Sequence, residues 1–330
     1  MKRISFWMGV WGIALALQAV AVAQDNALWT DARCAPFTPA KFGPFVRDAE
    51  GRLLTVDKNI LRTSADEGKT WSEDSAVIDP GINMIPNGHT GQILRTKNGT
   101  LIILFLDFSN YVFAWDDAAN VPKPECKLEM WSIRSTDGGK TWTDKQRLLD
   151  GYNADFMGFI QLRTGRLVTS MEHLVPDVSH WMSCSFFSDD DGKTWTRSNW
   201  IDLGGRGHHD GTLEPTLVEL KDGRVMMLIR TNLDRFWVAY SEDQGRYWRE
   251  LRPTAIEASS APAWLTRLQS GRLALVWNPL RPEGKEWPKR ENRSATEFPT
   301  SWFREDLCLA FSDDDGATWT KQTRFPGVPD

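Results

Sequence analysis

Apolar residues in this chain fall into short runs, and each run stops at a glycine turn or a charged segment. Five of the turns share one pattern: Glu50-Gly51-Arg52-Leu53-Leu54, Asn98-Gly99-Thr100-Leu101-Ile102, Thr164-Gly165-Arg166-Leu167-Val168, Asp222-Gly223-Arg224-Val225-Met226 and Ser270-Gly271-Arg272-Leu273-Ala274. A further apolar run precedes each turn, such as Gln92-Ile93-Leu94 or Thr216-Leu217-Val218, and another lies downstream, such as Arg147-Leu148-Leu149. Gly turns between apolar and β-branched residues are hairpin signals. No stretch carries a long helical period, so the pattern predicts an all-β chain.

Between the later runs lies an octapeptide, Ser-x-Asp-x-Gly-x-Thr-Trp, which occurs five times: Ser64 to Trp71, Ser135 to Trp142, Ser188 to Trp195, Ser241 to Trp248 and Ser312 to Trp319. Only the fourth copy departs, with Tyr247 in place of Thr. The Asp residues at 66, 137, 190, 243 and 314 are 71, 53, 53 and 71 residues apart, which signals a repeat architecture. The octapeptide reads as a tight turn. Asp accepts backbone N–H groups, Gly takes a positive φ, and Trp opens the next strand and buries its ring between sheets. The Asp-Asp-Asp-Gly runs at 189–192 and 313–316 lack the twelve-residue ligand spacing and terminal Glu of an EF-hand, so the box is structural.

Each unit is therefore strand, Gly turn, strand, connection, strand, box, strand. The units run about 43–80, 87–151, 157–203, 212–256 and 261–326. Recurring four-stranded antiparallel sheets read as β-propeller blades. The longest insertions, Asp107 to Cys126 and Asn278 to Ser301, fall between second and third strands and read as loops. A propeller must close on itself, so a sixth, incomplete blade is expected, or else a five-bladed ring.

Composition narrows the picture. In the 330-residue chain the formal charge of −5 is mixed along the sequence, which argues against a nucleic-acid partner. Residues 1–23 read as a secretory signal peptide, with Lys2 and Arg3 leading, Ile4 to Ala19 apolar, and Ala21-Val22-Ala23 as the cleavage site. Its removal takes the charge from −5 to −7, leaves no membrane span, and predicts a secreted or periplasmic product. Residues 24–42 form a linker and 43–330 the β domain. Cys34, Cys126, Cys184 and Cys308 make no C-x-x-C pair, and five His show no ligand spacing. No metal and no cofactor are expected.

Five such boxes on a secreted β chain resemble the sialidase (neuraminidase) superfamily over residues 43–326. The resemblance implies a six-bladed propeller and an exo-glycosidase that removes a terminal sialic acid or related acidic sugar from a glycan, the protein being a monomer. Glu214-Pro215-Thr216-Leu217-Val218-Glu219-Leu220 with Arg230 is similar to the family's segment bearing a catalytic Glu and a substrate-binding Arg. Met226-Met227-Leu228-Ile229 makes Arg230 an unusual charge closing an apolar strand. Phe303-Arg304-Glu305-Asp306-Leu307-Cys308 is similar to the segment of a second triad Arg, placing Arg304 in that role. Arg suits a sugar carboxylate because its planar fork bonds both oxygens. The loop holding Asp116 and Asp117 is where the family's general acid lies; Asp117 is preferred, with Asp107 as competitor.

Two departures stand out. His89, in Asn87-Gly88-His89-Thr90-Gly91-Gln92, occupies the place of the third Arg. The family's nucleophilic Tyr has no counterpart after Arg304, since the tyrosines are Tyr111, Tyr152, Tyr240 and Tyr247. The resemblance therefore places that Tyr beyond Asp330. Outside the family pattern, Gly207-His208-His209-Asp210-Gly211 precedes Glu214, which makes His209 and Asp210 candidate sugar contacts. Ser259 and Ser260 start the next inner strand and line the same opening. The alternatives are a carbohydrate-binding propeller without hydrolysis and a protein-binding scaffold.

Overall fold

The structure is a computed structural model that describes residues 41, 43–72, 76–84, 90–288, 290–291 and 298–326. The expected signal peptide, the linker up to residue 40, and His89 lie outside the described residues. Among the described residues there is no α-helix. The first sheet pairs Phe45–Arg47 (β1), Leu53–Asp57 (β2), Ile60–Ser64 (β3) and Ala76–Val77 (β4) in sequence order. The second begins with Gly91–Arg95 (β5) and Leu101–Val112 (β6). A hairpin of Trp115–Asp116 (β7) and Val121–Pro122 (β8) then leads to Lys127–Ser135 (β9) and Thr143–Leu149 (β10).

Tyr152–Ala154 (β11) follows as a joint. It pairs parallel with β9 and antiparallel with the second strand of the next sheet. That third sheet comprises Phe159–Gln161 (β12), Leu167–Val175 (β13), His180–Ser188 (β14) and Thr196–Arg197 (β15). The fourth runs through Leu213–Glu219 (β16), Val225–Arg230 (β17), Arg235–Ser241 (β18) and Arg249–Glu257 (β19). The fifth holds Trp264–Arg267 (β20) and Leu273–Trp277 (β21). The short pair Arg290–Glu291 (β22) and Thr300–Ser301 (β23) intervenes before Asp306–Ser312 (β24) and Thr323–Pro326 (β25).

The sheets stack face to face in chain order, and alternation along the middle strands does the stacking. On β17, Met226 and Leu228 pack with Leu265, Leu273 and Leu275 of the fifth sheet. Met227 and Ile229 pack the other way, with Val168 and Phe187 of the third. On β6, Leu101, Ile103 and Phe105 meet Leu54 and Val56 of the first sheet, whereas Leu104 and Leu106 meet Met171 and Phe186 of the third. Middle strands buried on both faces must be apolar throughout, which is why they read as runs rather than as alternating patterns. The first strands also follow one another, β1 against β5, β5 against β12, β12 against β16 and β16 against β20.

Each box sits between the third and fourth strands of its sheet, as expected. In the second copy, Ser135 Oγ donates to Asp137 at 2.8 Å and accepts Gly139 N–H at 2.8 Å, while Asp137 accepts Thr141 N–H at 2.9 Å. The Thr hydroxyls and backbone N–H groups hold Asp66 and Asp314 down to about 2. Gly139 has φ 90°, and a Cβ there would lie 2.3 Å from Leu61 Cδ2.

Two expectations need correction. Among the box tryptophans only Trp248 is buried; Trp71, Trp142, Trp195 and Trp319 are half-buried. The indole N–H of Trp71 and of Trp142 donates to the carbonyl of its own box Gly, at 3.0 and 3.2 Å, which folds the ring back over its turn. The insertion from Asp107 to Cys126 is no plain loop, because β6 runs on to Val112 and the β7–β8 hairpin follows.

Candidate functional site

The site grows from a fault in the β16–β17 ladder. Leu213 pairs with Arg230 and Thr216 with Leu228, leaving Glu214 and Pro215 as a bulge. Pro215 has no N–H to give the ladder, so a bulge is the natural solution. Glu214 takes φ 38°, a region a non-glycine residue occupies only at a cost of about 1–3 kcal/mol. Its N–H, freed from the ladder, donates to Glu172 Oε2 at 2.7 Å.

The bulge aims Glu214 at Arg230, the last residue of β17. Arg230 Nη1 lies 2.6 Å from Glu214 Oε2, and the side chains are 4% and 11% exposed. The remaining edge of the guanidinium donates to Ser260 Oγ, from Nε at 3.2 Å and Nη2 at 3.1 Å. Ser260 also links the second arginine, since Arg304 Nη2 donates to its carbonyl at 2.8 Å. The Trp302 ring serves both cations, with guanidinium carbons at 5.6 Å for Arg230 and 5.8 Å for Arg304. Arg304 is the exposed member of the pair.

Behind Glu214 lie two further acids. Carboxylate oxygens of Asp155, Glu172 and Glu214 lie within 4.8 Å of one another. Glu172 is buried on β13, and Asp155 follows β11 with φ 39°. Burial raises the Glu214 carboxyl above its ordinary value, opposed by the charge of Arg230. Burial also raises Glu172 well above its ordinary value, reinforced by the charges of Glu214 and Asp155.

The 207–211 loop forms the adjoining wall. Trp181 Nε1 donates to the His208 carbonyl at 2.5 Å, and Trp181 N–H to the Asp210 carbonyl at 3.0 Å. At Gly211 a Cβ would lie 2.1 Å from the Trp181 carbonyl oxygen, so only glycine lets the loop approach β14 this closely. The His208 ring packs on Phe113 and Trp115, and burial together with the charge of Arg230 lowers it to about 4. It is neutral at pH 7. His209 meets Trp302 edge-on at 4.8 Å.

The structure thus brings together Glu214, Arg230, Arg304 and His209, all read from the sequence. Asp210 is buried beneath the loop, where it accepts Arg206 N–H at 3.0 Å and the Asn232 amide. That geometry is a loop brace. Asp117 is exposed in the β7–β8 turn, a turn tied to the same loop by Arg206 Nη2 donating to the Ala119 carbonyl at 2.9 Å. Sequence reasoning missed Glu172, Asp155 and Trp302. The available signal for Glu172 was a lone acid inside the buried run Leu167-Val168-Thr169-Ser170-Met171; nothing local marks Asp155.

Comparison with known proteins bears on this arrangement. Residues 102–326 match the family model described as a BNR repeat-like domain. A sialidase of Micromonospora viridifaciens is 27% identical over 314 residues, 86% of this chain and 45% of that protein. A sialidase of Clostridium perfringens is 25% identical over 206 residues, 58% of this chain and 52% of that protein. The chain spans about half the length of these curated relatives. In fold it is similar to a Trypanosoma rangeli sialidase in complex with 2,3-difluorosialic acid as a covalent intermediate. The TM-score is 0.51 at 17% identity, over 87% of this chain and 47% of that one.

Proposed function

The chain belongs to the BNR repeat-like domain family within the sialidase superfamily, and on that premise we propose that it is a sialidase-type glycosidase acting on a terminal sialic acid or a related acidic sugar. The five sheets are then blades of a propeller, six-bladed as in the sialidases, whose first strands surround a central opening. The order of those strands supports this arrangement. The leader at residues 1–23 delivers the protein out of the cytoplasm.

One observation carries the reading: a buried Glu–Arg ion pair coupled, through Ser260 and Trp302, to an exposed second arginine. Arg304 meets the sugar carboxylate first, and the charge of Arg230 deepens the attraction in a site of low dielectric. Glu214 faces the anomeric region as the base that polarises a nucleophile. For the proton donor two carboxyls compete, Asp117 on the hairpin turn and the half-buried Asp155. His209 and Trp302 offer ring faces to the sugar, and His89 takes the sequence place of the third Arg.

A second reading, glycan binding without hydrolysis, is favoured by the surroundings of Tyr152. Its ring packs on Tyr111, Phe113 and Trp181, and burial raises its hydroxyl above its ordinary value, so it serves as an aromatic wall. Release of 4-methylumbelliferone from a panel of acidic glycosides separates the two. Hydrolysis by the wild type, lost by orders of magnitude in Glu214→Ala, is expected. Binding on a glycan array with no release from any member of the panel would replace the first reading by the second.

A further inference from the structure

Glu172 is not accounted for by any role above, yet it is 2% exposed in the middle of β13, accepts the backbone N–H of Glu214 and has its carboxyl within 4.8 Å of the Glu214 carboxylate. Across the strands it stands opposite Ala154 on β11 and Ser183 on β14, neither of which titrates. The charged groups that face it are Glu214 from β16, Asp155 from the segment after β11, and Arg230 from β17. Its neighbour His173 turns to the other face of β13, against Asn153 Oδ1 at 2.9 Å and the Trp200 ring at 5.3 Å.

We propose that Glu172 is a positioning residue for Glu214: it holds the Glu214 backbone in the left-handed bulge and stays neutral there, so that Glu214 carries the negative charge presented to Arg230. The geometry requires both halves of this role. A Glu214 N–H without an acceptor would leave the bulge with a buried unpaired donor. An ionised Glu172 would press three carboxylates onto one guanidinium whose other edge is already spent on Ser260. A neutral carboxyl resolves the conflict. Its carbonyl oxygen accepts the Glu214 N–H, and its O–H donates to one of the two neighbouring carboxylates. Burial and the adjacent negative charges both raise Glu172, in agreement.

This inference rests on Glu214 being the working carboxylate of the proposed glycosidase, but its test does not need turnover. Because the folded-state value of Glu172 lies above its unfolded value of 4.5, the stability it contributes is full below pH 4.5 and is lost as pH rises. His173 and His208, both lowered to about 4, shift stability in the opposite sense, equally in wild type and variants. The experiment is calorimetric Tm against pH for wild type, Glu172→Gln and Glu172→Ala. Glu172→Gln keeps an acceptor and cannot ionise, so its Tm at pH 8 should exceed that of the wild type, with the gap closing toward pH 4.5. Glu172→Ala should lie below Glu172→Gln at every pH, since Glu214 N–H loses its acceptor. Infrared spectra at pH 7 should show a protonated carboxyl band that disappears in Glu172→Gln.

A wild type and Glu172→Gln with parallel Tm profiles and identical carboxyl bands would overturn the proposal. So would Glu172→Ala matching Glu172→Gln. If the protein hydrolyses no acidic glycoside while Glu172→Gln shows the predicted gap, the positioning role stands and the glycosidase reading falls. Active protein with parallel profiles gives the reverse.

Discussion

Replacing Arg230 by Met removes the cation that pairs with Glu214 among the described residues while keeping most of the apolar stem in place. Arg230 is 4% exposed and lies 2.6 Å from a carboxylate that is itself 11% exposed, with Glu172 and Asp155 directly behind. Removing one partner of such a buried pair costs about 3–5 kcal/mol, because the remaining charge is left unpaired. In a chain of this size that lowers Tm on the order of 10 °C. The loss must depend on pH. Glu214 and Glu172 already have raised values, and without Arg230 they protonate more readily still. As pH falls toward 5 the orphaned Glu214 carboxylate takes up a proton and the deficit shrinks. Scanning calorimetry at pH 5 and pH 8 reads this directly, and adding Glu214→Gln to the variant should restore part of the loss at pH 8. Equal losses at both pH values, or no recovery in the double variant, would refute the electrostatic argument.

Two further outcomes follow from the same geometry. Ser135→Ala strands the buried Gly139 N–H and should cost about 1–3 kcal/mol in urea unfolding; a change within error would show that the box hydroxyl is dispensable. Asp155→Asn should abolish glycoside release while Asp117→Asn leaves it nearly intact if Asp155 is the proton donor, and the opposite pattern assigns the acid to the hairpin turn.

The fold was legible because its information is local. Ser135, Asp137, Gly139 and Thr141 satisfy one another within four positions, so an octapeptide carries its own turn wherever it occurs. The middle strands announce themselves because both faces of Leu101–Leu106 and Val225–Ile229 are buried. The site was legible only where a charge broke such a run, as Arg230 does. Glu172 and Glu214 are 42 residues apart and meet because a bulge at Pro215 frees one N–H between neighbouring sheets. No spacing along the chain encodes that meeting. Trp71 and Trp142 depart from the expected burial for a related reason: the indole N–H donates to its own turn carbonyl, which folds the ring back over the box.

The central claim is that Arg230 and Arg304 form one anion site shaped for an acidic sugar. Isothermal titration with sialic acid and with its methyl ester, on wild type and Arg304→Ala, tests it most directly. The acid should bind and the ester should not, and Arg304→Ala should weaken the acid at least tenfold, about 1.4 kcal/mol. Equal binding of acid and ester, or full affinity without Arg304, would contradict it.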